Sequence, residues 1–147
     1  MLAKTYQSAM NMLARREHSV FELTRKLQQK DFPSEMITEV IEQLVADNLL
    51  SDERYAEAYI RMRSARGYGL QRIKMEMQER GVASELISDA IEQSEVDWVA
   101  LALDVRSKKF GEQQPEEFSL RAKQMKFLQY RGFSHAQINA AVTGLED

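Results

Sequence analysis

The sequence predicts an all-α protein: three tandem three-helix repeats of helix-turn-helix type, stacked into an elongated or curved array. The first reason is a recurring string of basic, small or acidic, then bulky apolar residue. It stands as Lys30-Asp31-Phe32, Arg80-Gly81-Val82 and Arg131-Gly132-Phe133, at offsets of 50 and 51 residues. The second is what surrounds each copy: Ile37 and Ile41, Ile87 and Ile91, Ile138 and Val142 follow at helical spacing, while Leu27, Met77 and Leu128 precede in register. The third is negative, since no segment alternates apolar and polar residues over strand length and proline occurs only at 33 and 115. A unit of about 50 residues is marginal alone. The repeats, placed at 1–50, 51–96 and 97–147, are therefore expected to lean on one another.

Nine helices are expected. The first covers about 3 to 16, and Ser19-Val20-Phe21-Glu22 is a capping box that opens the second, which buries Leu23 and Leu27 and ends near Asp31. Pro33-Ser34 starts the third, with Ile37, Val40, Ile41, Leu44 and Val45 as its apolar stripe and Asn48 as its stop. In the second repeat Asp52 is the expected N-cap, and Tyr55, Ala56, Tyr59, Ile60 and Met62 the inner side. Gly67-Tyr68-Gly69 breaks the chain there, its glycines allowing positive φ on either side of a ring that can still pack. Leu70, Ile73 and Met77 carry the middle helix, Gly81 ends it, and Ser84 opens the next. The third repeat diverges most: a long helix from about Asp97, a loop at Gly111 to Gln114, a helix start at Pro115-Glu116-Glu117, and a second capping box at Ser134-His135-Ala136-Gln137.

Composition narrows the function. No apolar run of membrane-spanning length and no basic-then-apolar leader is present, so neither a membrane span nor a secretory signal is expected, and with no cysteine a cytoplasmic protein fits. Catalysis has little to work with. His18 and His135 stand apart in sequence, both read as solvent-facing turn residues, and no paired spacing suits a metal. Gly67-Tyr68-Gly69 lacks the lysine and hydroxyl residue of a phosphate loop. Glu35, Glu39 and Glu42 read as the solvated side of a helix, and Trp98 and the methionines as packing. No catalytic residue, metal or cofactor is therefore expected.

Charge is uneven. The chain carries a net charge of −3, yet Arg54 to Arg80 holds seven basic residues against three acidic ones. Such a local basic surface could meet phosphate or an acidic protein groove. At about 100° per residue, Arg54 and Arg61 share one side of their helix and Arg63 points nearly opposite, so they cannot all meet one flat partner. Arg66 falls in the direction of Tyr55 and Tyr59, with a head able to extend outward. Arg72 can pair with Glu76 four positions on.

These residues also carry a resemblance. Leu49-Leu50-Ser51-Asp52-Glu53-Arg54-Tyr55-Ala56, then Arg63, Arg66-Gly67-Tyr68-Gly69, Arg72-Ile73 and Arg80-Gly81-Val82, resemble the signature of the RecX family, regulators of RecA recombinase. Arg15-Arg16-Glu17-His18-Ser19 with Glu22-Leu23 and Lys26-Leu27 resembles the family's opening block, and Tyr130-Arg131-Gly132-Phe133 its third repeat. Three positions depart from the pattern: Leu70 where proline is common, Met77 where leucine is common, and Asp31 in place of the glycine of the other repeats, which can alter that turn.

The resemblance implies a non-enzymatic negative regulator, a monomer that lies in the helical groove of the RecA filament on DNA, limits its growth or promotes its disassembly, and so suppresses ATPase, strand exchange and coprotease activity in recombination and the SOS response. The expected contacts are Arg54, Arg61, Arg63, Arg66, Arg72 and Lys74 in the central repeat, with Arg121, Lys123, Lys126 and Arg131 as a second basic segment. The main alternative is a protein that binds single- or double-stranded DNA directly through its helix-turn-helix-like repeats. A pure scaffold whose basic residues are paired internally is a further one.

Overall fold

The computed structural model describes residues 1–144; the last three positions of the expected third repeat lie outside the described residues. Among them are nine helices and no strand: α1 (Leu2–Arg15), α2 (Val20–Gln29), α3 (Ser34–Ala46), α4 (Asp52–Ala65), α5 (Leu70–Glu79), α6 (Ser84–Gln93), α7 (Trp98–Phe110), α8 (Phe118–Arg131) and α9 (His135–Thr143). They fall into two compact units. The first comprises Met1–Ala58 with Met77–Glu92, and the second Tyr59–Glu76 with the chain from Gln93 onward, so α4 and α5 each contribute to both.

The recurring string is one turn built three times. Asp31, Gly81 and Gly132 all have positive φ, at 62°, 79° and 100°. Each N–H bonds the carbonyl three residues back, Gln28, Gln78 and Gln129, at 3.0, 3.1 and 3.0 Å. The next N–H, of Phe32, Val82 or Phe133, returns to Leu27, Met77 or Leu128. This is the Schellman arrangement, which satisfies the last carbonyls of a helix and needs one left-handed residue. Asp31 leaves the turn unaltered because aspartate is among the few side chains that enter this region at modest cost.

In the first unit α1, α2 and α3 pack around Ala9, Leu23, Leu27, Ile37, Val40, Leu44 and Leu50, all buried. In the second, α7, α8 and α9 enclose Ala102, Val105, Leu128, Phe133, Ile138, Ala141 and Val142. Each fully buried leucine or isoleucine contributes about 1.5–3 kcal/mol. Both capping boxes form: Ser19 with Glu22, and Ser134 with Gln137.

Several expectations are corrected. Ser51, not Asp52, caps α4, its Oγ accepting the Arg54 N–H at 3.2 Å; Asp52 is already helical and its carboxylate accepts the Val20 N–H at 2.8 Å. Helix α8 begins at Phe118, after Pro115-Glu116-Glu117 rather than within it. Met62 and Val45 lie on the exposed sides of their helices instead of in the apolar stripes. Only Gly67 of the Gly67-Tyr68-Gly69 pair takes positive φ.

His18 is the largest departure. It is 1 % exposed rather than solvent-facing. Lys26 Nζ lies 2.8 Å from its Nε2 and the Arg16 carbonyl 3.1 Å from its Nδ1. An ammonium only donates, so Nε2 accepts and Nδ1 carries the proton. Burial, and then the charges of Arg16 and Lys26, hold its pKa below the ordinary value.

Candidate functional site

The expected contact residues gather in the second unit around one aromatic ring. Gly67, at φ 86°, turns the chain after α4 and delivers Tyr68. The guanidinium carbons of Arg63, Arg72 and Arg131 lie 3.8, 4.7 and 4.9 Å from the centre of that ring. A quadrupole attracts cations to its face, so one tyrosine gathers three arginines from three helices. Close backbone approach makes this possible. The Gly69 N–H donates to the Arg131 carbonyl at 2.8 Å and the Gln71 N–H to the Gly132 carbonyl at 2.8 Å. A Cβ on Gly69 would stand 2.5 Å from the Gly132 carbonyl carbon, a separation real Cβ atoms do not adopt.

Glu76 neutralises part of this charge. Arg63 bonds it through Nε and Nη2 at 2.9 and 2.8 Å, the Tyr59 hydroxyl donates to it at 2.9 Å, and Arg72 Nε reaches it at 3.3 Å. Burial alone would raise the Glu76 pKa, but the hydrogen bonds from Arg63 and Tyr59 outweigh it and hold the carboxyl below its ordinary value. The hydrogen bond to Glu76 in turn raises the pKa of Arg63. Arg72 also donates to the Tyr130 carbonyl at 3.2 Å, and Arg131 to the Arg66 carbonyl at 3.1 Å. These three arginines hold the local fold together, with side chains as little as 14 % exposed for Arg63.

The other expected residues divide differently. Arg61, Arg66 and Lys74 are exposed and form no ion pair with any described residue. Arg54, in the first unit, is engaged by Glu17 at 3.2 Å and Asn48 at 3.0 Å. Along α8, Lys123 and Lys126 are exposed on the face that also carries Tyr130, 76 % exposed, whereas Arg121 donates to the Glu116 carbonyl at 3.3 Å. Only Arg131 of that second segment joins the ring.

Sequence reasoning missed three features. Tyr68 is the hub rather than a packing residue, and Glu76 takes its main partner from another helix, which intrahelical spacing cannot reveal. Lys108 and Lys109, in the last turn of α7, stand on the same side of the unit as Arg66 and Arg131, all four lining one open cleft. Adjacent lysines were the available signal. Arg106, on the same helix, is 1 % exposed and donates to the carbonyls of Gly111, Glu112 and Gln113, which pins the α7–α8 loop.

Comparison with known proteins follows this architecture. Three family models match in order: the first three-helix domain of RecX over residues 6–44, the second over 51–91 and the third over 95–142. The regulatory protein RecX of Pseudomonas entomophila (strain L48) is 44 % identical over 138 residues, covering 94 % of this chain and 89 % of that protein. That of Halorhodospira halophila (strain DSM 244 / SL1) is 39 % identical over 140 residues, covering 95 % and 87 %. The crystal structure of RecX from Lactobacillus salivarius aligns with a TM-score of 0.80 at 23 % identity, over 98 % of this chain and 96 % of that one, a likeness of fold.

Proposed function

This chain belongs to the RecX family of regulatory proteins, and on that premise we propose that it is a negative regulator of RecA. It binds the RecA–DNA filament along the helical groove, limits growth or promotes disassembly, and so lowers ATPase, strand-exchange and coprotease activity in recombination and the SOS response. It acts in the cytoplasm as a monomer and by binding rather than catalysis, with residues 1–50, 51–96 and 97–147 as its three modules. The observation that carries this reading is the division of labour among the arginines. Arg63, Arg72 and Arg131 are committed to Tyr68 and Glu76, while Arg61, Arg66 and Lys74 are exposed cations on a chain whose net charge is −3. A rigid base with outward cations suits an acidic protein wall, where complementarity fixes register and speeds encounter. Arg54 has a subordinate role in this scheme, held by Glu17 and Asn48.

The test is RecA's DNA-dependent ATPase on preformed filaments with substoichiometric protein added. Wild type is expected to suppress it and the triple variant Arg61→Glu, Arg66→Glu, Lys74→Glu to lose most of that effect while keeping its helical circular dichroism. No suppression by wild type at excess refutes the reading. A second reading, direct DNA binding, is favoured by one observation: Lys123, Lys126 and the exposed Tyr130 share one face of α8, ammonium groups beside a ring on which a base can stack. Tight binding to bare oligonucleotide, steeply weakened by salt, would support it.

A further inference from the structure

The second unit contains an open cleft of about 300 Å³ between the end of α4, α7 and α8. Its floor is apolar. Val105 and Gly67 are buried there, and Leu101 and Phe127 half-buried beside them. Its rim is cationic: Arg66, Lys108, Lys109 and Arg131 line it against a single carboxylate, Asp104, which is 3.0 Å from Lys108 Nζ. Lys109 and Arg131 also lie 5.7 and 5.3 Å from the centre of the Phe127 ring.

We propose that this cleft takes an acidic peptide segment that inserts one apolar side chain, and that it is where the protein component of the partner, as opposed to its DNA, is gripped. Both halves of the site are needed for that choice. A surplus of three positive charges around the rim calls for carboxylates or phosphates. A nucleic-acid backbone would use the rim and leave the floor bare, since stacking requires a free aromatic face and Phe127 is half-buried, with the Phe110 ring 5.4 Å away edge-to-face and two cations near its ring. A leucine or phenylalanine flanked by glutamates uses floor and rim together, burying apolar area while its carboxylates meet Arg66 and Lys109. An apolar anchor in a pocket, ringed by complementary charge, is the usual centre of a peptide interface.

The inference rests on the regulator reading for the identity of the partner, but its binding assay runs without RecA. The probe is a fluorescein-labelled peptide of alternating glutamate and leucine about a central phenylalanine. A matched peptide has its apolar residues replaced by glutamine, and a labelled oligothymidylate serves as the third probe; binding is read by anisotropy. Wild type should bind the first peptide at least about tenfold more tightly than the second. Ala65→Phe, which fills the cleft from an exposed rim position without changing charge, should remove that preference. The Arg66→Glu, Lys109→Glu double variant should weaken the first peptide by about tenfold or more, restored in part by raising its lysine content. Equal affinity for both peptides, or an Ala65→Phe variant that binds as wild type does, overturns the proposal, because the site is then charge without a pocket. So does tighter binding of the oligonucleotide, lost in the double variant. A wild type that binds the peptide yet leaves RecA's ATPase untouched keeps the cleft and removes the regulator reading instead.

Discussion

Replacing Gly132 by alanine should be among the most damaging small changes available in the second unit. Its φ of 100° lies where an L residue is strained, at a cost of roughly 1–2 kcal/mol. The added Cβ would stand 2.7 Å from the Arg72 nitrogen and 3.0 Å from its Cα, both backbone atoms that cannot rotate away. The two loops must therefore separate by several tenths of an ångström. That stretches the Gly69 to Arg131 and Gln71 to Gly132 hydrogen bonds, each 2.8 Å, at about 1 kcal/mol apiece. Together the loss is about 3–4 kcal/mol. The equivalent changes in the other two turns grade downward. At Gly81 the added Cβ meets Phe21 Cβ at 2.5 Å and Cγ at 2.9 Å, and that Cβ moves only with its backbone, but one docking hydrogen bond, Ser19 to Arg80, is at stake rather than two. At Asp31, exposed and already left-handed with a side chain in place, alanine should cost under about 1 kcal/mol. Urea denaturation followed by circular dichroism gives the three values. An order other than Gly132, Gly81, Asp31, or a Gly132→Ala cost below about 1 kcal/mol, would show that close backbone docking is not what these glycines are for.

Other outcomes follow from the charged network. Glu76→Gln should destabilise the protein by about 1–3 kcal/mol, since it leaves Arg63 half-buried without its charge partner. Because the folded pKa of Glu76 is depressed, its contribution is present above the unfolded carboxyl value and lost as pH falls through the folded one; the variant's urea midpoint should therefore fall less than wild type's on acidification toward about pH 3. His18, also depressed, is neutral in the fold and protonates more readily when unfolded. Its contribution is complete above about pH 6.5 and declines below it, so His18→Gln should flatten the wild-type loss of stability between about pH 7 and about pH 5. Lys123→Glu with Lys126→Glu should leave thermal stability within about 0.5 kcal/mol of wild type, both being exposed and unpaired among the described residues. Weaker oligonucleotide binding by that variant, at unchanged suppression of RecA, would assign α8 to DNA.

Much of the fold was legible because it depends on local chemistry that repeats. Register between Leu27, Met77 and Leu128 located the turns, and Ser19 and Ser134 with their partners at the third helical position located two helix starts. What escaped depends on how side chains pack rather than on spacing along the chain. His18 reads as a turn histidine, and nothing in its neighbours announces that Lys26 and the Arg16 carbonyl will satisfy it inside the protein. The basic residues were identified as a group, but the group divides by tertiary pairing. Arg72–Glu76 is visible at a spacing of four, whereas the stronger Arg63–Glu76 pair joins α4 to α5 and the Arg131–Tyr68 contact spans from α8. Helical angles computed along α4 say where a side chain leaves the helix, not what it meets.

The repeated turn is also a docking element. Within the first unit the Arg80 carbonyl, at the end of α5, accepts the Ser19 hydroxyl at the start of α2 at 2.7 Å. Within the second, the Arg131 carbonyl, at the end of α8, accepts the Gly69 N–H at the start of α5. Each of these two turns thus docks on the middle helix of the preceding repeat, using a donor not yet consumed by that helix. The residue in register with the Gly69 donor is Leu120, 51 positions beyond it. There the helix has been extended backwards to Phe118, and the Arg121 N–H is already given to Glu117 at 3.0 Å. At the other end of the series, the Lys30-Asp31-Phe32 turn carries a Cβ where the two docked turns have none, at the position where Gly81 and Gly132 make contact.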